Sequence, residues 1–280
     1  MANKITEKAC QQFRDYLIQE ERSAGTIEKY LRDVRAFSMW INGKIVTKNL
    51  AAEWKAELQD QGYAPVTINS MLAAINTFFG FMGWEDCRIK TLRLQKRLFR
   101  DPTRELTRDE YERLLRTAHG QGEERLALLM ETICATGIRV SEVQYITVEA
   151  AQRGRADIAL KGKIRTILLP NKLCKKLLKY SKNKKIASGK IFLTGNGNGL
   201  SRGQIWTEMK RLCRYAGVEE SKVFPHNLRH LFAVVFYRVY KDIVRLADML
   251  GHSSVETTRI YLLTTGEEQR IQLEQLGLLK

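Results

Sequence analysis

Two apolar stripes limit what the first third of this chain can become. Ile27, Tyr30, Leu31, Val34, Phe37 and Trp40 recur at the i, i+3, i+4, i+7 spacing of a single helix face, and Ile68, Met71, Leu72, Ile75, Phe78 and Phe79 repeat the pattern. Faces this broad and aromatic must be buried against other helices, so residues 5–83 predict an all-helical domain of four helices. Thr6 caps the first, which runs to about Gln19. Thr26 caps the second, Thr47 begins a third that ends near Gln61-Gly62, and Pro65 suits the first turn of the fourth. The stripes read as core and imply no ligand.

Beyond Cys87 the periodicity weakens, and Asp101-Pro102 disfavours helix before the proline. The pattern therefore divides the chain into a helical domain at 1–87, a basic linker at 88–103 and a second domain with a C-terminal tail at 104–280. Leu106-Thr107-Arg108-Asp109-Glu110 opens that second domain as a capping box, with Thr107 at the cap and Glu110 three residues on. A further helix from about Glu123 stops at Thr136-Gly137. Asp157 to Leu169 alternates as a β-hairpin with a basic Lys161-Gly162-Lys163 tip, ended by Pro170. Lys190-Ile191-Phe192-Leu193 predicts one more short strand, and the glycines of 195–199 read as turn chemistry, lacking the lysine of a phosphate-binding loop. Ser201 caps a helix to about Ala216. The rest is helical, broken at Gly251 and near Ser253. The fold class is mainly α with a small β component.

Charge supplies the partner class. Forty-seven Lys and Arg against thirty-one Asp and Glu leave a net charge of +16, a field that attracts polyanions, of which nucleic acid is the commonest. The excess is clustered. Arg88 to Arg100 holds six basic residues and no acid, and Lys161 to Lys190 holds eleven and no acid. Arg93, Lys96 and Arg97 on the linker, with Lys163 and Arg165 on the hairpin, are the candidate phosphate contacts. No apolar run approaches a membrane span and no signal peptide is evident, so a cytoplasmic, nucleoid-associated protein is expected. The cysteines Cys10, Cys87, Cys134, Cys174 and Cys213 form no CxxC pair and read as free thiols.

Three of the four histidines lie in two short strings, Pro225-His226-Asn227-Leu228-Arg229-His230 and Leu250-Gly251-His252-Ser253-Ser254. Neither string offers carboxylates or cysteines at ligand spacing, so a metal site is not expected. What the strings offer is imidazole, guanidinium and, at Tyr261, a phenol. Arginine's planar fork matches two phosphate oxygens, which makes Arg229 and Arg139 candidates for holding a phosphodiester. A phenol that attacks phosphorus leaves a phosphotyrosine that keeps the energy of the broken bond. Lys161 or Lys163 at the hairpin tip could protonate the leaving oxygen. Taken singly, each residue has an ordinary structural use, Arg139 as one half of an ion pair with Glu142 among them.

The ordered set Arg139, Lys161, His226-x-x-Arg229, Leu250-Gly251-His252, Tyr261 resembles the tyrosine recombinase (phage integrase) family. Thr136-Gly137-Ile138-Arg139-Val140-Ser141-Glu142 is similar to its first motif, and the strings at 226–230 and 250–261 are similar to its second. Thr26-Ile27-x-x-Tyr30-x-x-Asp33-x-x-x-Phe37 resembles its helical core-binding domain, so the likeness covers nearly the whole chain. It implies an all-α SAM-like core-binding domain joined to an α+β catalytic domain, closing around duplex DNA. It also implies a reaction that needs no cofactor and no metal. Tyr261 becomes the nucleophile toward a 3′ phosphate, and Arg139 and Arg229 clamp the phosphate. Lys161, favoured over Lys163, protonates the leaving oxygen; His226 assists proton transfer and His252 hydrogen-bonds the phosphate. The expected partners are double-stranded DNA carrying inverted repeats and three further copies of the chain in a tetramer. The acidic residue that the family commonly has near Ala150 is absent. The helical domain begins almost at Met1, which suggests the two-domain plan of Xer-type or small mobile-element recombinases, without an arm-binding domain. A catalytically silent DNA-binding regulator of the same descent and a type IB-like topoisomerase are the alternatives. The apolar residues after Tyr261 could dock on their own domain or on a neighbour.

Overall fold

The computed structural model describes residues 3–94, 102–160, 163–261, 270–271 and 273–278, with the backbone alone at 102, 160 and 163. The chain divides into two units, Met1–Lys96 and Arg97–Lys280.

The first unit is built from α1 (Glu7–Gln19), α2 (Ala24–Ile41), α3 (Lys48–Asp60) and α4 (Pro65–Phe81). Thr6 and Thr47 cap as their spacing predicts, each hydroxyl accepting the N–H three residues on, and Pro65 opens α4, where a missing N–H costs nothing. The start of α2 differs from expectation. Ser23, not Thr26, is the cap residue, because the backbone is still extended there, and the Thr26 hydroxyl instead meets the Ser23 hydroxyl at 2.9 Å inside the first turn. Val34, Phe37, Ile68, Leu72, Ile75, Phe78 and Phe79 are fully buried. Phe13 meets Phe78 edge-on at 5.2 Å and Phe37 meets Phe79 at 5.9 Å, and each such ring contributes roughly 1.5–3 kcal/mol through burial. Asp33, buried on α2, is matched by Lys29 at 2.6 Å and Arg32 at 3.1 Å, and Lys29 also donates to the Ser70 carbonyl on α4.

Two asparagines of α4 act as peptide mimics. Asn76 accepts from the Ile89 N–H (3.1 Å) and donates to the Ile89 carbonyl (2.9 Å); Asn69 does the same for Leu92 (2.7 and 2.9 Å). Asparagine carries both a donor and an acceptor, so two of them two turns apart on one helix face can pair an extended chain as a neighbouring strand does. Ile89 and Leu92 turn inward on this ladder while Lys90 and Arg93 stay exposed. The first residues of the basic run 88–100 are thus fixed to α4.

The second unit contains α5 (Arg108–Gly120), α6 (Glu124–Thr136), a 3-10 segment (Val140–Tyr145), α7 (Val148–Arg153), β1 (Arg155–Leu160), β2 (Lys163–Leu168), α8 (Asn171–Asn183) and α9 (Arg202–Ala216). After these come α10 (Pro225–Tyr240), α11 (Ile243–Leu250), α12 (Val255–Thr258) and a closing 3-10 turn (Arg259–Tyr261). Capping boxes at Thr107/Glu110 and Ser201/Gln204 start α5 and α9. Helix α6 carries a broad apolar surface, with Leu126, Ala127, Leu129, Met130 and Ile133 all buried, and it packs against α5, α8 and α10. The hairpin pairs Arg155 with Leu168 through Leu160 with Lys163. The expected strand at 190–193 is not formed: only isolated bridges join Thr147 to Lys190 and Leu193 to Gly199. Ile191 and Phe192 are core residues there, but the chain folds back at once through the glycine turn and never runs beside β1. A helix break at Lys241, which takes left-handed backbone before the Asp242 cap, is not legible in the apolar pattern. Among the described residues no helix is long and apolar enough to cross a membrane.

Candidate active site

The site forms where three helix ends meet. Gly137, in left-handed backbone at φ +65°, terminates α6 and turns the chain into Ile138-Arg139. A Cβ at Gly137 would stand 2.5 Å from the Phe232 ring, so the close approach of α10 also requires glycine. Pro225 opens α10 and places His226 and Arg229 one turn apart. Gly251, also left-handed at φ +60°, ends α11 and delivers His252, whose N–H returns to the Ala247 carbonyl at 3.0 Å.

Arg229 lies at the centre, 3% exposed. It donates to the Gly137 carbonyl at 2.6 Å and the Leu250 carbonyl at 2.7 Å, so one side chain ties the ends of α6 and α11 together. It also lies 3.0 Å from His252 Nε2. A guanidinium only donates, so Nε2 accepts, and Nδ1 carries the imidazole proton toward the Thr258 hydroxyl at 2.9 Å. Burial, with the Arg229, Arg139 and Arg165 charges, pushes the His252 pKa down to about 4 and keeps the ring neutral. Burial beside Arg139 lowers Arg229 itself to about 10, where it remains a cation at neutral pH.

Arg139 is the more open of the two arginines. Its guanidinium meets the Glu142 carboxylate at 2.9 Å and the Gly251 carbonyl at 3.1 Å, while its backbone N–H donates to Glu142 at 2.7 Å. Arg165 closes on the same carboxylate at 2.5 Å and donates to the Met249 carbonyl at 3.0 Å. Burial opposes the charge on Glu142, but the Arg139 N–H and the two guanidiniums outweigh it and hold the carboxyl below its usual range. Arg165, a candidate phosphate contact by sequence, is thus turned toward Glu142 and the end of α11. Glu142 is legible in the sequence only as a possible surface partner of Arg139; that it is buried and bridges two arginines depends on contacts the sequence does not display.

Tyr261 is 4% exposed among Ala233, Val234, Phe236, Leu246 and Leu250. Its ring stacks on His252 at 6.3 Å and meets His230 edge-on at 5.0 Å. Burial raises its pKa, opposed in part by the Arg229 and Arg139 charges, so the phenol is protonated at neutral pH. His226, stacked on Phe224, is held below its ordinary pKa by partial desolvation and the Arg229 charge. The structure therefore brings together Arg139, Arg229, His252 and Tyr261, with His226 one turn before Arg229. Lys161, Lys96 and Arg97 lie outside the described residues, as does the side chain of Lys163; Arg93 is exposed. Among the described residues no group of histidines, cysteines and carboxylates could hold a metal ion.

Comparison with known proteins matches this arrangement to one lineage. The phage integrase family profile covers residues 104–267, and the N-terminal SAM-like domain of phage integrases covers residues 10–86. Tyrosine recombinase XerA of Thermococcus kodakarensis is 29% identical over 279 residues, spanning 96% of this chain and 95% of its own. Tyrosine recombinase XerD of Halalkalibacterium halodurans is 26% identical, spanning 89% and 90%. The same fold occurs in a lambda integrase dimer bound to a COC′ core site (TM-score 0.76, 17% identity, 94% and 96% of the two chains). It occurs also in the Tn1549 transposon integrase with transposon right end DNA (TM-score 0.74, 18% identity, 96% and 99%). With more than half its length matched, and the arginine, histidine and tyrosine motifs gathered at one place, the chain belongs to the phage integrase family, the tyrosine recombinases.

Proposed function

We propose that this recombinase cleaves and rejoins double-stranded DNA at a site of inverted repeats through a 3′-phosphotyrosine, exchanging strands in a homo-tetramer. The observation that supports this most is the convergence of Arg229, Arg139, His252 and the Tyr261 ring around the ends of α6 and α11. The Tyr261 phenol oxygen attacks phosphorus, a Tyr–O–P bond forms, and the bond to the 5′ oxygen breaks. His226 accepts the phenol proton. Lys161, or Lys163, gives a proton to the departing 5′ oxygen. Arg139 and Arg229 bear the charge that grows on the non-bridging oxygens; His252 joins them by donating from Nε2, in the tautomer whose Nδ1 accepts from the Thr258 hydroxyl, once Arg229 turns to the phosphate. Rejoining reverses each transfer, so no external energy source is consumed. The working place of such an enzyme is the cytoplasm, on the nucleoid.

Tyr261→Phe removes one oxygen and tests the assignment directly. Incubated with a nicked suicide duplex and run on a denaturing gel, the wild type should form a covalent adduct and Tyr261→Phe none, with duplex binding retained. An adduct in the variant would move the nucleophile to Tyr240 or Tyr237. A wild type that binds the duplex but forms no adduct would instead be the silent regulator.

A further inference from the structure

On the reading above that Arg139 and His252 hold the scissile phosphate, we infer that Arg165 is a positioning residue for that pair and makes no phosphate contact of its own. Its guanidinium is enclosed. One nitrogen meets Glu142 at 2.5 Å, a second donates to the Met249 carbonyl at 3.0 Å, and the third, Nε, is buried without a partner. The side chain is 14% exposed, against 39% for Arg139. Both terminal nitrogens are anchored to protein groups and Nε is buried, so the fork is turned toward Glu142 and α11 and away from a ligand in solvent.

The contacts also show what it positions. Glu142 is shared: it takes the Arg139 N–H and guanidinium from one side and Arg165 from the other. Arg165 therefore fixes the carboxylate that sets the direction of Arg139. At its other end it holds the last turn of α11, and it packs so tightly on Gly251 that an added Cβ there would stand 2.6 Å from both Cδ and a terminal nitrogen. Gly251 in turn accepts from Arg139 at 3.1 Å and precedes His252. One side chain on β2 thus aligns both elements that carry phosphate-holding groups. Displacing such groups by about 1 Å can cost on the order of 10²-fold in rate.

The test uses single-turnover cleavage of the suicide duplex with full-length protein. Arg165→Gln is expected to lose about 10²-fold in the cleavage rate constant, with duplex affinity within about twofold and the slope of log K against log salt unchanged, whereas removing a residue that touches phosphate lowers that slope by about 0.9. Arg165→Lys should rescue poorly, since an ammonium cannot span Glu142 and the Met249 carbonyl together. In the Arg139→Ala background, Arg165→Gln should add clearly less than its full loss, because the part of its effect that passes through Arg139 is already gone while the part through His252 remains. A reduced salt slope, rescue by lysine, or fully multiplicative losses would each overturn the proposal. If Arg165→Gln does not fold, Glu142→Gln, which keeps both arginines, must reproduce the rate defect without altering the salt slope; unimpaired cleavage would equally overturn it. Should the wild type form no adduct at all, the catalytic reading falls by itself. A double-mutant cycle in thermal unfolding between Arg165 and Glu142 still decides whether the strut exists, and additive effects would deny it.

Discussion

At the scale of single residues, the site is governed by hydrogen-bond supply. Arg229 divides its donors between two helix-ending carbonyls and His252, so it is both a structural pin and a candidate phosphate ligand. Replacing Arg139 or Arg229 by alanine should cost on the order of 3 kcal/mol of transition-state stabilisation. Lysine at either position should rescue poorly in the cleavage assay, because a point charge cannot make the paired contact. Arg229→Ala should in addition lower the unfolding temperature, since two buried carbonyls lose their partner. His252 sets a pH dependence. Its folded pKa of about 4 lies below the ordinary 6.5, so the unfolded chain takes up a proton first as pH falls. The stabilisation is complete above about 6.5 and is lost progressively as pH falls toward about 4. Thermal unfolding between pH 7.5 and 4.5 should show this decline, and His252→Gln should flatten it.

At the scale of elements, turns and ladders place the chemistry. Gly137 and Gly251 end their helices in backbone that L side chains rarely adopt, and each meets a side chain where a Cβ would go. Gly251→Ala should therefore displace Arg165 and cost more than the roughly 1 kcal/mol of an unobstructed left-handed glycine position; a loss confined to that amount in chemical denaturation would mean that Arg165 moves aside freely. The Asn69 and Asn76 ladder makes a separate claim about the segment after the helical domain. Asn69→Ala with Asn76→Ala removes the acceptors of the Leu92 and Ile89 amides. Deuterium uptake at those two amides should rise by roughly fivefold while the α2 and α4 amides keep their protection, each bond being worth about 1 kcal/mol. Unchanged uptake would mean that core contacts of Ile89 and Leu92 hold the segment without the ladder.

At the scale of the whole molecule, charge is the dominant property. The +16 net charge is carried in part by two acid-free runs, and the linker run contains Arg93, Lys96 and Arg97. Neutralising these three together should weaken binding to specific and random duplexes alike. It should also reduce the salt slope by up to about three, near 0.9 for each phosphate no longer neutralised, while sequence preference survives. An unchanged slope would mark the run as a solvated connection. Supercoiled plasmid without inverted repeats separates the recombinase from the topoisomerase alternative: a recombinase of this kind leaves it supercoiled, and efficient relaxation by the wild type would favour the alternative.

Much of this molecule is written locally. The apolar stripes of α2 and α4, the Thr6, Thr47, Thr107 and Ser201 caps, the Pro225 start of α10 and the glycine ends at 137 and 251 follow from residue spacing and from backbone chemistry confined to a few neighbours. The candidate site residues are legible as an ordered set because their motifs are contiguous strings. What the sequence could not supply were the contacts between distant segments. A strand at 190–193 has the right composition but lies where no ladder is available to it. Arg165 is legible only as one more basic residue of the hairpin and a candidate phosphate contact, yet it sits on the face of Ile167 and Leu169, where a buried carboxylate 23 positions earlier and a carbonyl 84 positions later meet it. Local spacing determines helices, strands and caps because their energetics close within a turn. The environment of a charged side chain is decided by which distant backbone and carboxylate groups fold around it, and only the tertiary structure carries that information.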